Sequence, residues 1–536
     1  MIFSPGKLCL VAAVISPLFG AITSFPRFSA TGSRRQVITG LGWIATGCAL
    51  IAAIAVAVNG PFTVAITNSQ HQPVVGLLAN QFTITLLVLV CMVGATVQSF
   101  SVRYLGADQE ANRFFAAANM VITSMALVCT SATAAVLIVS WIIAGISFVA
   151  VVGYRSDLPE VRKSAVRTFK MFALGDLALV VALLILLVRV GSVNLASSSS
   201  LHASLARLGS LATPVSLLIV IAALTRSAQG PLGRWLPSTV SAPTPVSALL
   251  HAGVVNGGGI LLIRLSGLSS ISSLSMAVAF VIAVLTATVG TAVMNRKSDV
   301  KGALAYSTIA QMGFMIAECT VGAYLAALIH LMGHAMYKAT LFFGSGSQIP
   351  RIGKAPLAPI DMLSTWIKIA LTSVTTAVTI LVMAAVPGVT NHRGGVFILI
   401  FTAATIVTAM WSWWNRRPTS NRLTFLLIAF MLALGALYGL VLGTLDSWIS
   451  PALPEVGPGA LSPWWLLVIA AAGLAMTGLG RTHRTRRMVL AVLVNLGAPP
   501  IQSSKVTTQD KRRFLSDNFR DYHAFELGKS EKEKTA

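Results

Sequence analysis

About fifteen apolar runs, each of the ~20 residues needed to cross a bilayer, divide this chain. They lie near 8–25, 37–58, 77–100, 114–131, 133–153, 169–190, 212–228, 246–266, 271–294, 302–320, 323–347, 366–386, 395–414, 423–443 and 463–480. A backbone in lipid must satisfy its own hydrogen bonds, so runs of this length are expected to be helices. The expected fold class is an all-α polytopic membrane protein. Composition agrees, since 55% of the 536 residues are hydrophobic and 10% are charged, whereas a soluble domain carries about 25% charged residues.

The net charge of +23 would suit nucleic acid if it were gathered in one patch, but it is spread through short loops. Loops after odd-numbered runs hold Arg34 and Arg35, Arg103 and Arg113, Arg155 to Arg167, Arg234, Arg296 to Lys301, Arg351 and Lys354, Arg416 to Arg422, and Arg481 to Arg487. Loops after even-numbered runs hold only Arg207 and Arg393. This alternation predicts an N-terminus outside and a C-terminus in the cytoplasm, with the chain in the cell inner membrane. The segment Leu8–Phe25 lacks a small-residue cleavage site and is expected to stay as the first helix. Five cysteines show no CxxC or Cys/His spacing, so they read as small buried hydrophobes. In the polar tail 501–536, Phe514, Asn518, Phe519, Tyr522 and Phe525 fall near helical spacing. That tail reads as an amphipathic docking helix or as a frayed soluble end.

His330, His334 and Lys338 recur every four residues inside the run 323–346. At 3.6 residues per turn they form one helical stripe. Ionisable groups at membrane depth are costly and mark ion pathways or polar cavities. Histidine titrates near neutral pH, and a buried lysine can be brought into a useful range, so the stripe suits proton relay. The i,i+4 histidines could also share a metal ion, but Leu331-Met332-Gly333 supplies no catalytic glutamate and Lys338 would repel a cation.

A second polar concentration runs from Arg226 to Pro237, where Gly230, Pro231 and Pro237 interrupt an apolar helix. Helices broken inside a membrane are tolerated where protein or water satisfies the freed backbone, and they mark ion pathways. The chain re-enters through Pro243-Thr-Pro245 into a run with His251, Asn256 and Gly257-Gly258-Gly259. Asp176 lies within the run 169–190, with Arg226 as its nearest plausible counter-ion at similar depth. Glu318 is a further intramembrane carboxylate, or one reaching interfacial water. No nucleophile–base pair, metal cluster or cofactor fingerprint appears in the loops, which argues against an independent enzyme.

The run Ser227 to Gly253, which holds Pro-Leu-Gly-Arg-Trp-Leu-Pro and His251, resembles the proton-translocating antiporter-like subunits of respiratory complex I and of multisubunit cation/proton antiporters. Asp299-Val-Lys301-Gly-Ala-Leu-Ala-Tyr306 to Gly313 matches that family's next block, and His330 to Ala339 the one after. The similarity runs from about residue 80 to 350. It implies two inverted five-helix repeats with broken helices, at 114–266 and 271–414. Residues 1–113 would be N-terminal helices, 423–500 C-terminal helices, and 501–536 a cytoplasmic tail. By position, Asp176 matches the family's acidic residue on the sixth helix, and His251, His330, His334 and Lys338 match its central relay.

Three departures stand out. Trp141 is followed by Ile142 where the family has an acid, Arg226 replaces its helix-seven lysine, and near Val386–Gly394 only His392 and Arg393 approach its helix-twelve lysine. Arginine stays protonated, so the first half-channel is either a fixed electrostatic element or altered in mechanism. The ion-pathway candidates are Asp176, Arg226, His251, Asp299, Lys301, Glu318, His330, His334 and Lys338.

No stretch of this sequence is expected to form the long lateral helix of complex I's largest antiporter-like subunit. It is most similar to the DabB-type membrane subunits of two-component inorganic carbon uptake complexes. That resemblance implies a DabA-type partner at the cytoplasmic face, similar to a zinc carbonic anhydrase. The zinc would sit in the partner, with no cofactor in this chain. Flow of protons, or of sodium ions, would energise hydration of carbon dioxide to bicarbonate. The alternative is a proton-pumping subunit of NADH-quinone oxidoreductase or of a multisubunit sodium/proton antiporter.

Overall fold

The computed structural model describes residues 4–24, 32–67, 73–191, 194–195, 207–297, 299–345, 364–387, 390, 393–416, 421–454, 456–468 and 471. The chain opens with α1 (Pro5–Thr23), α2 (Gly32–Asn59), α3 (Gln81–Tyr104) and α4 (Ala111–Thr130), which pack on one another. Helices α5 (Ala134–Val152), α6 (Pro159–Arg189) and α7 (Ala212–Arg226) follow, each against the one before. Next comes a helix in two pieces, α8 (Thr244–Ala252) and α9 (Gly257–Arg264). Helices α10 (Ser273–Met294), α11 (Val300–Thr320) and α12 (Tyr324–Gly344) form a sequential bundle, and α8 lies against α12 and α3. The last group is α13 (Thr365–Ala384), α14 (Gly395–Arg416) and α15 (Asn421–Ile449), with α13 packed on α14 and α15.

Eleven helices among the described residues are long and apolar enough to cross a membrane. Helices α11 and α12 are not among them, because Lys301, Gln311, Glu318, His330, His334 and Lys338 lower their hydropathy. The apolar part of α14, Ile398–Trp414, is shorter. These helices lie where the sequence places its first fourteen runs. The fifteenth, 463–480, falls mostly outside the described residues, as do the Ser197–Ser200 run, His392 and the tail 501–536.

One element departs from the all-helical expectation. Phe62–Thr67 and Pro73–Ala79 form an antiparallel hairpin, β1–β2, pairing Phe62 with Ala79 and Val64 with Leu77. Gly60 at φ +79° ends the path out of α2, and the β-branched run Phe-Thr-Val-Ala-Ile-Thr favours a strand. The apolar run expected from residue 77 therefore begins as strand. Its helix starts at Gln81, fixed by a capping box in which Asn80 and Thr83 exchange side-chain and backbone bonds.

The two helix breaks satisfy one another. After α7 ends, the Thr225 carbonyl accepts from Trp235 Nε1 at 3.0 Å, and Gly230 N donates to Thr286 Oγ1 at 2.9 Å. Gln229 Nε2 donates to the carbonyls of Ser227 (2.7 Å) and Ile309 (3.2 Å). At the α8–α9 break, the Val255 carbonyl accepts from Ser227 Oγ at 3.0 Å. These bonds pair polar groups freed at the breaks, as membrane depth requires, while Gly230 and Pro231 are exposed. The close approach depends on Gly258, where a Cβ would overlap the Ala223 carbonyl and Ser227 Oγ. Gly258→Ala is expected to cost about 1–3 kcal/mol, seen as a lower thermal midpoint of the detergent-purified protein. An unchanged midpoint would show that the two breaks are not locked together.

Candidate functional site

Helix α12 presents its three polar residues in a graded environment. Lys338 is fully buried, and its Nζ donates to the Leu304 carbonyl of α11 at 3.3 Å. His334, one turn earlier, is 3% exposed, and neither ring nitrogen has a hydrogen-bond partner among the described residues. His330, a turn earlier again, is 18% exposed at its side chain, with Nδ1 at 3.1 Å from Glu318 Oε2. The Phe314 ring lies 5.4 Å from the His330 ring. Helix α8 adds His251, whose ring stacks on Phe342 of α12 at 4.5 Å and 10°. His334 lies within electrostatic reach of His330, Lys338 and His251. The stripe expected from spacing is therefore a physical column, joined at the side by His251 and at one end by Glu318.

Beside that column lies a cavity of about 1140 Å³ between α10, α11, α12, α14 and α15. One water takes about 30 Å³ of liquid, so the cavity is far larger than a chain of single waters. Most of its wall is apolar, including Phe314, Ile398, Phe401 and Leu434. Polar groups interrupt that wall at Gln311, Glu318, His330, His334, Tyr337 and Tyr438, and at Asn295 and Arg296. A buried imidazole with both nitrogens unpaired is costly unless water reaches it. His334 stands on the cavity wall, although its ring nitrogens are themselves buried.

Arg226 sits in a different kind of site. It is the last residue of α7 and is 2% exposed. Its Nη2 donates to Asp176 Oδ1 at 2.9 Å and to the Trp141 carbonyl at 3.2 Å. The same Asp176 oxygen accepts from Trp141 Nε1 at 2.9 Å. The guanidinium lies between the Trp141 and Phe172 rings, 4.3 Å from each centroid. Space for it comes from Gly145, where a Cβ would stand 2.9 Å from Nη2. The ion pair expected from sequence is present, and two aromatic faces lock it. Cation–π contact adds stabilisation where the cation is desolvated. Trp141, which in sequence is notable only for the acid missing after it, supplies a ring face, an N–H and a carbonyl.

Asp299 and Lys301 have main-chain partners. Asp299 caps α11, accepting from Gly302 N at 2.6 Å, and Lys301 Nζ donates to the Ala242 carbonyl at 2.9 Å. Neither lines the cavity. The Lys301 contact fastens the start of α11 to the segment that leads into α8. No group of three or more metal-ligating side chains occurs among the described residues. Arg393 is exposed.

A polytopic helical protein with broken helices and an intramembrane imidazole–amine column is the class this geometry defines. The chain belongs to the NADH:quinone oxidoreductase/Mrp antiporter transmembrane family, whose model matches residues 131–416. The complex I chain 5 N-terminal model matches residues 66–115. Among curated relatives, "Probable inorganic carbon transporter subunit DabB1" of Halothiobacillus neapolitanus is 31% identical over 344 residues, 60% of this chain and 62% of that protein. The Bacillus anthracis protein "Probable inorganic carbon transporter subunit DabB" is 34% identical over 278 residues, 52% and 54% of the two chains. "NADH-ubiquinone oxidoreductase chain 5" of Schizophyllum commune is 32% identical over 275 residues, 51% of this chain and 40% of that one. The matched stretches thus span less than two thirds of these relatives' lengths. The Mrp complex from Dietzia sp. DQ12-45-1b shares the fold, with a TM-score of 0.60 at 22% identity over 97% of this chain and 60% of that one. An archaeal membrane-bound sulfane sulfur reductase chain also has a TM-score of 0.60, at 17% identity over 85% of this chain and 100% of that one.

Asp176→Asn removes the counter-ion of a buried, sandwiched guanidinium. The expected cost is about 3–5 kcal/mol, read as a lowered thermal midpoint of the purified protein. Wild-type stability in that variant would show that the pair is not structural.

Proposed function

We propose that this chain is the cation-conducting membrane subunit of an energy-coupled inorganic carbon uptake complex. One observation carries the conducting role: Lys338, His334 and His330 lie on one stripe, from full burial to partial exposure at a cavity. Fixed charges in lipid are costly, and proteins retain them on ion paths. Relatives named as inorganic carbon transporter subunits supply the carbon side of the reading.

In this proposal the ion passes along Glu318, His330, His334 and Lys338, with His251 beside the column. Imidazoles take and release protons near neutral pH, and a lysine desolvated inside protein is a workable partner. Arg226 and Asp176 hold a fixed charge, because a guanidinium does not deprotonate. The cytoplasmic partner is a DabA-type protein similar to a zinc carbonic anhydrase. It holds the zinc, and ion flow through this chain drives its hydration of carbon dioxide in one direction. The chain sits in the inner membrane with its N-terminus outside. The second reading, a proton-pumping subunit of NADH-quinone oxidoreductase, is favoured by relatives such as the Schizophyllum commune chain.

Lys338→Ala should lower inorganic carbon uptake by at least about a hundredfold in cells that depend on the complex, with the amount of assembled complex unchanged. Uptake at the wild-type rate would remove Lys338 from the path. Purification from the native membrane separates the two readings. A co-purifying zinc protein is the expected result, whereas subunits bearing iron–sulfur clusters and flavin would establish the second.

A further inference from the structure

The cavity wall contains one carboxylate among the described residues, that of Glu318. Its surroundings do not explain it as a helix cap. It lies in the last turn of α11 and is 6% exposed. The carbonyl end of a helix disfavours negative charge. The groups facing it are His330 from α12, Tyr438 from α15, and Phe314 and Cys319 from its own helix. Its ion-pair partner among the described residues is His330, with no lysine or arginine beside it. A carboxylate clamped by arginine, like Asp176 with Arg226, has a fixed cationic partner. One that shares a hydrogen bond only with an imidazole can hold the proton on either partner.

We propose that Glu318 passes protons between the cavity and the imidazole column, through a proton shared with Nδ1 of His330. This rests on the conducting role given above to α12 and names where that column meets the cavity. Both side chains line the cavity, Glu318 at 8% exposure and His330 at 18%, while His334 is 3% exposed and Lys338 fully buried. Hydronium in the cavity gives its proton to the carboxylate, leaving water and a carboxylic acid. The acid O–H then breaks as an N–H forms at Nδ1, giving carboxylate and imidazolium. The imidazolium releases the proton on Nε2 toward His334, through water that bridges one helical turn. The ring is left protonated at Nδ1, and a ring flip turns its bare Nε2 toward the carboxylate to accept the next proton, which then leaves from Nδ1; the reverse sequence carries a proton out.

A purely structural role, in which the pair staples α11 to α12, makes a different prediction. Glu318→Gln keeps a hydrogen-bonding partner for His330 but takes up no proton. In proteoliposomes of the purified complex with an internal pH dye, Glu318→Gln should slow proton flux at least about tenfold, with assembly intact. Glu318→Asp draws the carboxyl back by one methylene, so it should slow flux and move its pH profile. That variant decides the matter if the glutamine form does not assemble. Wild-type flux in Glu318→Gln, or wild-type flux and profile in Glu318→Asp, would overturn the assignment. Lys338→Ala serves as the control. If it is inactive while Glu318→Gln conducts normally, the column stands without this acid; if Lys338→Ala conducts normally, the column itself fails.

Discussion

Burial of the Lys338 amine is the constraint on which the rest of the structure turns. It is fully buried on a helix among apolar neighbours, and it donates to the Leu304 carbonyl at 3.3 Å. Desolvating an ammonium without a counter-ion costs several kcal/mol even after relaxation. A fold that merely needed a packed helix would place leucine there at no such cost. The arrangement around it follows from accommodating that group. The helix α8 is interrupted so that His251 can lie against Phe342, the α7 break supplies partners for the freed carbonyls, and a cavity runs beside His330 and His334.

The two halves of the molecule treat charge in opposite ways. Arg226 is held by a carboxylate, a carbonyl and two aromatic faces, and every contact favours one protonation state. The α12 column holds groups that can exist in two states, and leaves the nitrogens of His334 without partners among the described residues. A locked ion pair stiffens the junction of α5, α6, α7 and α9, where Gly145 and Gly257 leave room for it. The adjustable groups lie where α11 and α12 meet the cavity. In the proposed mechanism one repeat provides a fixed field and a rigid frame, and the other provides the path.

Much of this was legible in the chain because its signals are local. Apolar run length gave the helices, the four-residue period gave the α12 stripe, and matched depth gave the Asp176–Arg226 pair. The hairpin Phe62–Ala79 was missed because Pro73-Val-Val-Gly-Leu-Leu-Ala79 is apolar enough to merge with the helix that follows. The matching sequence block around Asp299 and Lys301 does not reveal that both side chains meet backbone. The Trp141–Arg226 contact, the Phe342–His251 stack and the Glu318–His330 bond join distant or differently oriented segments. Sequence spacing carries no record of such contacts. The cavity arises from how α10 to α12 meet α14 and α15, which no single helix encodes.

The account requires water inside the membrane span, next to groups that the protein leaves unpaired. A cryo-electron microscopy map of the purified complex, sharp enough to show ordered water, tests this directly. The expected result is water density within hydrogen-bonding distance of the His334 ring nitrogens, continuous with the cavity at His330. A column packed dry from His330 to Lys338, with side chains or lipid filling the cavity, would contradict it.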